Sequence, residues 1–158
     1  MRLTRAGEYA IRCVLYLSAL DREEAVSRRE ICEAMGIPHH FLGKIAQELS
    51  KAGLLAISQG ARGGYRLGRA PEDISLLEVP EAVEGEIILN DCLESRTACA
   101  RALTCAVHPI WARARDKLRR SLAEVSFASL AEQETGLKVP NGGGASPDDI
   151  PTAARPLK

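Results

Sequence analysis

Residues 27–53 hold the feature that most narrows the fold. Ser27-Arg28-Arg29-Glu30 has the spacing of a capping box, in which the Ser27 hydroxyl accepts from the backbone N–H of Glu30 and the carboxylate reaches back. It opens a helix with Ile31, Ala34 and Met35 facing inward, and Gly36 suits the left-handed position that closes it. Pro38 suits the first position of a further helix. That helix runs to about Ala52, buries a stripe of Leu42, Ile45, Ala46 and Leu49, and ends at Gly53. Two helices meeting across a short glycine-centred turn make a helix-turn-helix. Next come a short strand over 54–58, a glycine-rich turn over 59–64, and a second strand, Tyr65-Arg66-Leu67. A β-hairpin in that place is the wing of a winged-helix domain.

The rest of the chain reads as mainly α. Residues 4–21 predict a helix with Thr4 as N-cap and apolar side chains on nearly every face from Tyr9 to Leu20, which marks a central helix. Ser75–Glu84 predicts a short helix in which Pro80 imposes a kink or a late start. His108-Pro109 opens a long helix with an apolar line through Ile110, Ala114, Leu118, Leu122 and Val125. Arg113, Lys117, Arg119 and Arg120 line its other sides, and a short helical segment follows over Ser126–Glu134. The expected division is a winged-helix domain over 1–74, a cysteine loop and long C-terminal helix over 75–134, and a disordered, Gly- and Pro-containing tail over 135–158.

The net charge is zero, but the charges are segregated. Residues 1–69 carry 11 Lys and Arg against 7 Asp and Glu; residues 70–95 carry 8 acids and no base; residues 96–158 carry 10 bases against 6 acids. A basic first third fits a polyanionic partner, which the acidic middle cannot touch. No stretch has the apolar length of a membrane helix, and Glu8 and Arg12 break the first segment, so neither a membrane span nor a secretory leader is expected. The expectation is a cytoplasmic protein.

On the second helix of the pair, His40, Lys44, Gln47 and Lys51 recur at spacings of 4, 3 and 4, opposite the apolar stripe. His39 and His40 lie in the first turn, where a recognition helix meets base edges; Lys44 can reach a phosphate or a guanine, and Gln47 a base edge. Gly43 would let the backbone approach a phosphate closely. Arg62, beside Gly63 at the hairpin tip, suits the narrow minor groove of A·T-rich DNA. Arg28 and Arg29 suit phosphate contact at a helix start. A plain solvated basic face is the competing account, and the added wing weighs against it.

Five cysteines are an odd number for a disulfide framework. Cys13 and Cys32 fall in apolar helical patterns and read as core. Cys92, Cys99, Cys105 and His108 form a four-donor set within 17 residues. Thiolates select iron–sulfur clusters, zinc or Cu(I). A structural zinc site usually has a tight Cys-x2–4-Cys knuckle, which is missing here, and the wider gaps suit an iron–sulfur cluster. His108 could instead simply cap its helix. Glu8 is the competing ligand, and could instead pair with Arg12 at i,i+4.

These features together resemble the family of bacterial winged-helix regulators that includes IscR, NsrR and RirA. The resemblance is carried by Met1-Arg2-Leu3-Thr4, Tyr9-Ala10, Ala52-Gly53-Leu54-Leu55, Arg62-Gly63-Gly64-Tyr65-Arg66-Leu67 and the cysteine loop, over about residues 1–133. It implies a homodimer built on the long C-terminal helix, operator DNA as partner, and an iron–sulfur cluster (2Fe–2S or 4Fe–4S) on Cys92, Cys99 and Cys105. The fourth ligand it implies is either His108 or Glu8 of the partner subunit. The first cysteine gap is six residues where IscR-like members typically have five, and Pro80 interrupts a segment that is normally an unbroken helix. The expected function is a DNA-binding transcription regulator, not an enzyme, that senses redox state, nitric oxide or cluster status. The alternatives are a cofactor-free thiol/disulfide regulator and an iron–sulfur carrier or electron-transfer protein.

Overall fold

The computed structural model describes residues 3–20, 25–60, 63–94 and 98–136. In chain order it contains α1 (Arg5–Leu20), α2 (Arg28–Met35), α3 (His39–Lys51), β1 (Leu55–Ser58), β2 (Gly64–Leu67), α4 (Glu78–Glu84), α5 (His108–Ala123) and α6 (Phe127–Gly136). Among the described residues the fold is mainly α with one two-stranded antiparallel sheet, as the sequence predicts. The disordered tail predicted after residue 134 lies outside the described residues from 137 on, and α6 itself runs through Gly136.

The local signals act as their chemistry requires. Thr4 Oγ1 accepts the N–H groups of Ala6 and Gly7, and Ser27 Oγ accepts that of Glu30 at 3.2 Å. Gly36 takes the left-handed conformation (φ 62°, ψ 35°) that closes α2. Pro38 sits one place earlier than predicted, as the N-cap of α3 rather than its first residue. Leu42, Ile45, Ala46 and Leu49 are all buried. β1 and β2 pair in register Leu55 to Leu67 and Ser58 to Gly64. Val26, just before α2, exchanges both backbone hydrogen bonds with Tyr65 at 2.8 Å, so the wing is anchored to the chain entering the helix-turn-helix.

Helix α1 is the central element. Ala10, Cys13 and Val14 are fully buried, and the core they join runs from Tyr9 to Phe127. It therefore crosses residue 74: Ile74, Val79 and Phe127 belong to the same cluster as the helix-turn-helix. Residues 74–76 pair with 125–127 through Leu76 N–H to Val125 O (2.8 Å) and Phe127 N–H to Ile74 O (2.9 Å), which turns α6 back onto α1. This also shortens the predicted apolar line, since α5 ends at Ala123 and Val125 lies in the returning link. Helix α4 starts late, at Glu78, with Pro80 in its first turn. The Glu84 carboxylate, at the end of α4, accepts the N–H groups of Thr4 (3.1 Å) and Gly7 (2.9 Å) and the Thr4 hydroxyl, capping α1 from a distant part of the chain.

No residue of α5 is buried. It is held at Arg119, whose guanidinium bridges Glu81 (2.6 Å) and Glu86 (3.0 Å), and at Arg115, 3.8 Å from Glu86. Two acids of the middle segment, Glu81 and Glu86, are thus engaged by the basic helix. Val107, Ile110 and Trp111, around its start, stay largely exposed.

Candidate nucleic-acid interface and cysteine loop

The apolar stripe of α3 fixes which face looks outward. His39, His40, Lys44, Gln47 and Lys51 are all exposed on it. The His40 ring packs beside Phe41 at 4.6 Å, and Phe41 meets Tyr9 of α1 edge-on at 5.5 Å, so the start of α3 is braced on the core. Lys51 is engaged with Glu48 at 2.8 Å, an exposed pair that a phosphate can displace at little cost. Arg29 pairs with Glu33 at 3.4 Å, also in the open.

Arg28 is placed differently. Its Nε donates to the Tyr65 hydroxyl at 3.1 Å, and its guanidinium lies against Gly43. The room that Gly43 leaves is therefore taken by a side chain of this protein, which corrects the expectation that it admits a phosphate. Gly63 closes the turn of the hairpin, its N–H donating to Gly60 O at 2.9 Å. Arg62, the predicted minor-groove residue, lies outside the described residues.

The cysteine loop folds as a chain of turns. Ala102 N–H donates to Cys99 O at 3.1 Å and His108 N–H to Cys105 O at 3.3 Å, so Cys105 and His108 are joined by one backbone turn at the start of α5. Cys92, Cys99 and Cys105 are all half-buried. Cys92 and His108 line one cavity of about 420 Å³ with Leu93, Ala102, Leu103 and Arg115. His108 Nδ1 is buried and has no hydrogen-bond partner, an uncommon state for an imidazole nitrogen. Among the described residues no three His, Cys, Asp or Glu side chains converge on a common point. The donor chemistry and the orphaned nitrogen suit a soft metal centre, whereas the loop as folded keeps its donors apart. Glu8 is exposed in the first turn of α1, beside a cavity of about 600 Å³ that Leu3, Thr4, Tyr9 and Arg12 also line. Arg12 lies over the Tyr9 ring at 5.7 Å and reaches Met35 O at 3.5 Å.

Cys13 and Cys32 are core residues, as predicted. Burial, reinforced by the neighbouring Cys32, pushes the Cys13 thiol up to about 12, so it stays protonated at neutral pH.

Sequence reasoning missed four residues that hold the surrounding elements in place. Val26 carries no motif and pairs across the chain. Glu84 caps a helix 77 residues away. Ser75 and Glu78 form a reciprocal capping box, with the carboxylate accepting Ser75 N–H at 2.8 Å and the Ser75 hydroxyl accepting Glu78 N–H at 3.3 Å. The last was legible as S-x-x-E.

A helix-turn-helix followed by a tethered hairpin, with a basic face on the second helix, defines a winged-helix transcription regulator. Residues 3–133 match the Rrf2 family, described as an iron-dependent transcriptional regulator, and the chain belongs to that family. It is similar to the HTH-type transcriptional regulator NsrR of Geobacillus kaustophilus, with 32% identity over 87% of this chain and 95% of that one. It is also similar to the HTH-type transcriptional regulator IscR of Vibrio atlanticus, with 29% identity over 88% of this chain and 80% of that one. Among solved structures it resembles the oxidised form of CymR from Staphylococcus aureus, with TM-score 0.67 and 26% identity over 84% of this chain and 97% of that one. The family is one of transcription regulators, not of enzymes.

Proposed function

We propose that this regulator binds operator DNA as a homodimer and that an iron–sulfur cluster held by the cysteine loop sets its affinity. The observation that carries the reading is the buried, unpartnered Nδ1 of His108, a residue that lines one cavity with Cys92 and is bonded through its backbone one turn back to Cys105. Cys92, Cys99 and Cys105 are the thiolate donors, and His108 completes the set within one subunit; Glu8 of a partner subunit is the alternative fourth donor. When bound, the cluster supplies a redox-active charge and ties the loop together. The family's iron-dependent description and the relatives named NsrR and IscR support this.

The protein's own residues carry the response. The loop leads directly into α5, whose half-exposed apolar line suits a second copy. Two α3 helices in such a dimer must meet major grooves roughly 34 Å apart. His39, His40, Lys44 and Gln47 reach base edges and phosphates, Arg29 and Lys51 the backbone, and Arg62 beside Gly63 the minor groove. A shift of a few ångströms between the two heads changes affinity, and a coupling of about 1–3 kcal/mol is enough for a switch.

Protein isolated without oxygen is expected to be coloured and to contain iron and acid-labile sulfide, and Cys99→Ala to lose the colour and alter operator binding. Colourless, iron-free protein with normal DNA response overturns the cluster. A second reading then stands, a thiol/disulfide regulator. The half-buried, unconverged loop cysteines and the likeness to a CymR structure in an oxidised form support it.

A further inference from the structure

We propose that Arg28 is a positioning residue that bolts the recognition helix to the wing; the inference rests on the DNA-binding reading above. Arg28 is the first residue of α2, yet its side chain serves the two elements that follow. On one side its Nε donates to the hydroxyl of Tyr65 at 3.1 Å. That hydroxyl is itself fixed, because Tyr65 is 5% exposed and its backbone is paired to Val26, two residues before Arg28. On the other side the guanidinium covers Gly43 in the middle of α3. A Cβ at Gly43 would stand 3.3, 3.5 and 3.7 Å from Nη2, Cζ and Nη1, so the whole group rests on that glycine.

Glycine weakens a helix interior, and here it leaves room for a guanidinium. Arg28, Gly43, Gln47, Ser58 and Tyr65 line one groove of about 370 Å³ between α3 and the hairpin. Arg28 is the one charged side chain among the described residues lining it. Arginine suits the place where lysine does not: Nε is committed to Tyr65 while the planar remainder lies over the backbone. The device matters for reading DNA because helix and wing address different grooves. Once α3 is docked, the wing's contact is intramolecular, and its strength depends on how well the spacing is preset.

The test uses the full chain and a duplex that the wild type selects from a random-sequence pool, in its selected length and shortened to remove the flanking base pairs the wing addresses. Tyr65→Phe keeps the ring and the backbone pairing but removes the acceptor. It is expected to weaken binding to the long duplex about tenfold while leaving the short duplex unchanged. Gly43→Ala places a methyl under the guanidinium; it is expected to raise Tm, because alanine is the better helix former, and to weaken the long duplex by a similar factor. Arg28→Lys is expected not to restore the long-duplex affinity that Arg28→Met loses. Tyr65→Phe binding the long duplex within twofold of wild type, or Gly43→Ala moving Tm and affinity in the same direction, overturns the proposal. Failure of the wild type to select any duplex overturns the DNA reading itself, and the positioning role with it.

Discussion

Replacing Gly7 by alanine should destabilise this protein although alanine is ordinarily the better helix residue. The gain in helix propensity is about 0.5–1 kcal/mol near a helix start. Against it stands the Glu84 carboxylate, which accepts from Thr4 N–H, Gly7 N–H and the Thr4 hydroxyl over the positive end of α1. A Cβ on Gly7 would lie 3.0 Å from Glu84 Cδ and 3.1 Å from Leu3 Cδ1, closer still to the carboxylate oxygen, so the cap must leave. Charge-assisted hydrogen bonds are worth about 1.5–3 kcal/mol each when buried; with Glu84 exposed we discount the set to about 1.5 kcal/mol in all. The net loss is about 0.5–1 kcal/mol, or about 1–4 °C in Tm. In a Glu84→Ala background only the flexible end of Leu3, at 3.1 Å, still has to give, and Gly7→Ala should stabilise by up to about 0.5–1 kcal/mol. Urea or thermal unfolding of the four proteins at one fixed concentration measures this coupling. The same sign for Gly7→Ala in both backgrounds would refute the cap.

Two further outcomes follow from the packing around the 74–127 link. Phe127→Ala should cost about 3–5 kcal/mol, because Phe127 is fully buried where α6 meets α1; a loss under 1 kcal/mol in denaturant unfolding would show that α6 does not stabilise the core. Burial alone would raise the Glu78 carboxyl, but Arg69 (2.7 Å) and the N–H and hydroxyl of Ser75 more than offset this and hold it below the ordinary value of 4.5. Its stabilising contribution is then complete above pH 4.5 and fades as pH falls through the lower folded value. Glu78→Gln should be less stable than wild type at pH 7, with the gap closing in acid; a gap independent of pH would contradict the ionised cap.

The helix-turn-helix was legible because its determinants are local. The box at Ser27, the turn at Gly36 and the stripe from Leu42 to Leu49 each act within one or two helical turns, and all three are found in place. The wing was legible for the same reason, through its glycine-rich turn. What escaped depends on residues far apart in the chain. Nothing near Glu84 hints that its carboxylate will sit on the first turn of α1, and nothing near Val26 hints at a partner 39 residues on. Phe127 is one aromatic in a weakly patterned segment, and its burial follows from the link between 74–76 and 125–127. Gly43 was visible but misassigned, because its meaning depends on where the Arg28 side chain goes. In the cysteine loop the donor types were plain, while their arrangement depends on turns that leave no periodic trace.

The attachment of α5 has a consequence for any titration with added electrolyte. Arg119 and Arg115 grip Glu81 and Glu86 at the rim of the fold, where mobile ions weaken the grip, whereas the apolar centre around α1 is indifferent to them. Raising ionic strength therefore acts on this molecule twice: it competes with phosphates for the basic face, and it slackens the arm that joins the loop to the reading domain. A binding isotherm followed against salt would contain both contributions, and charge-neutral replacement of Glu86 would separate them.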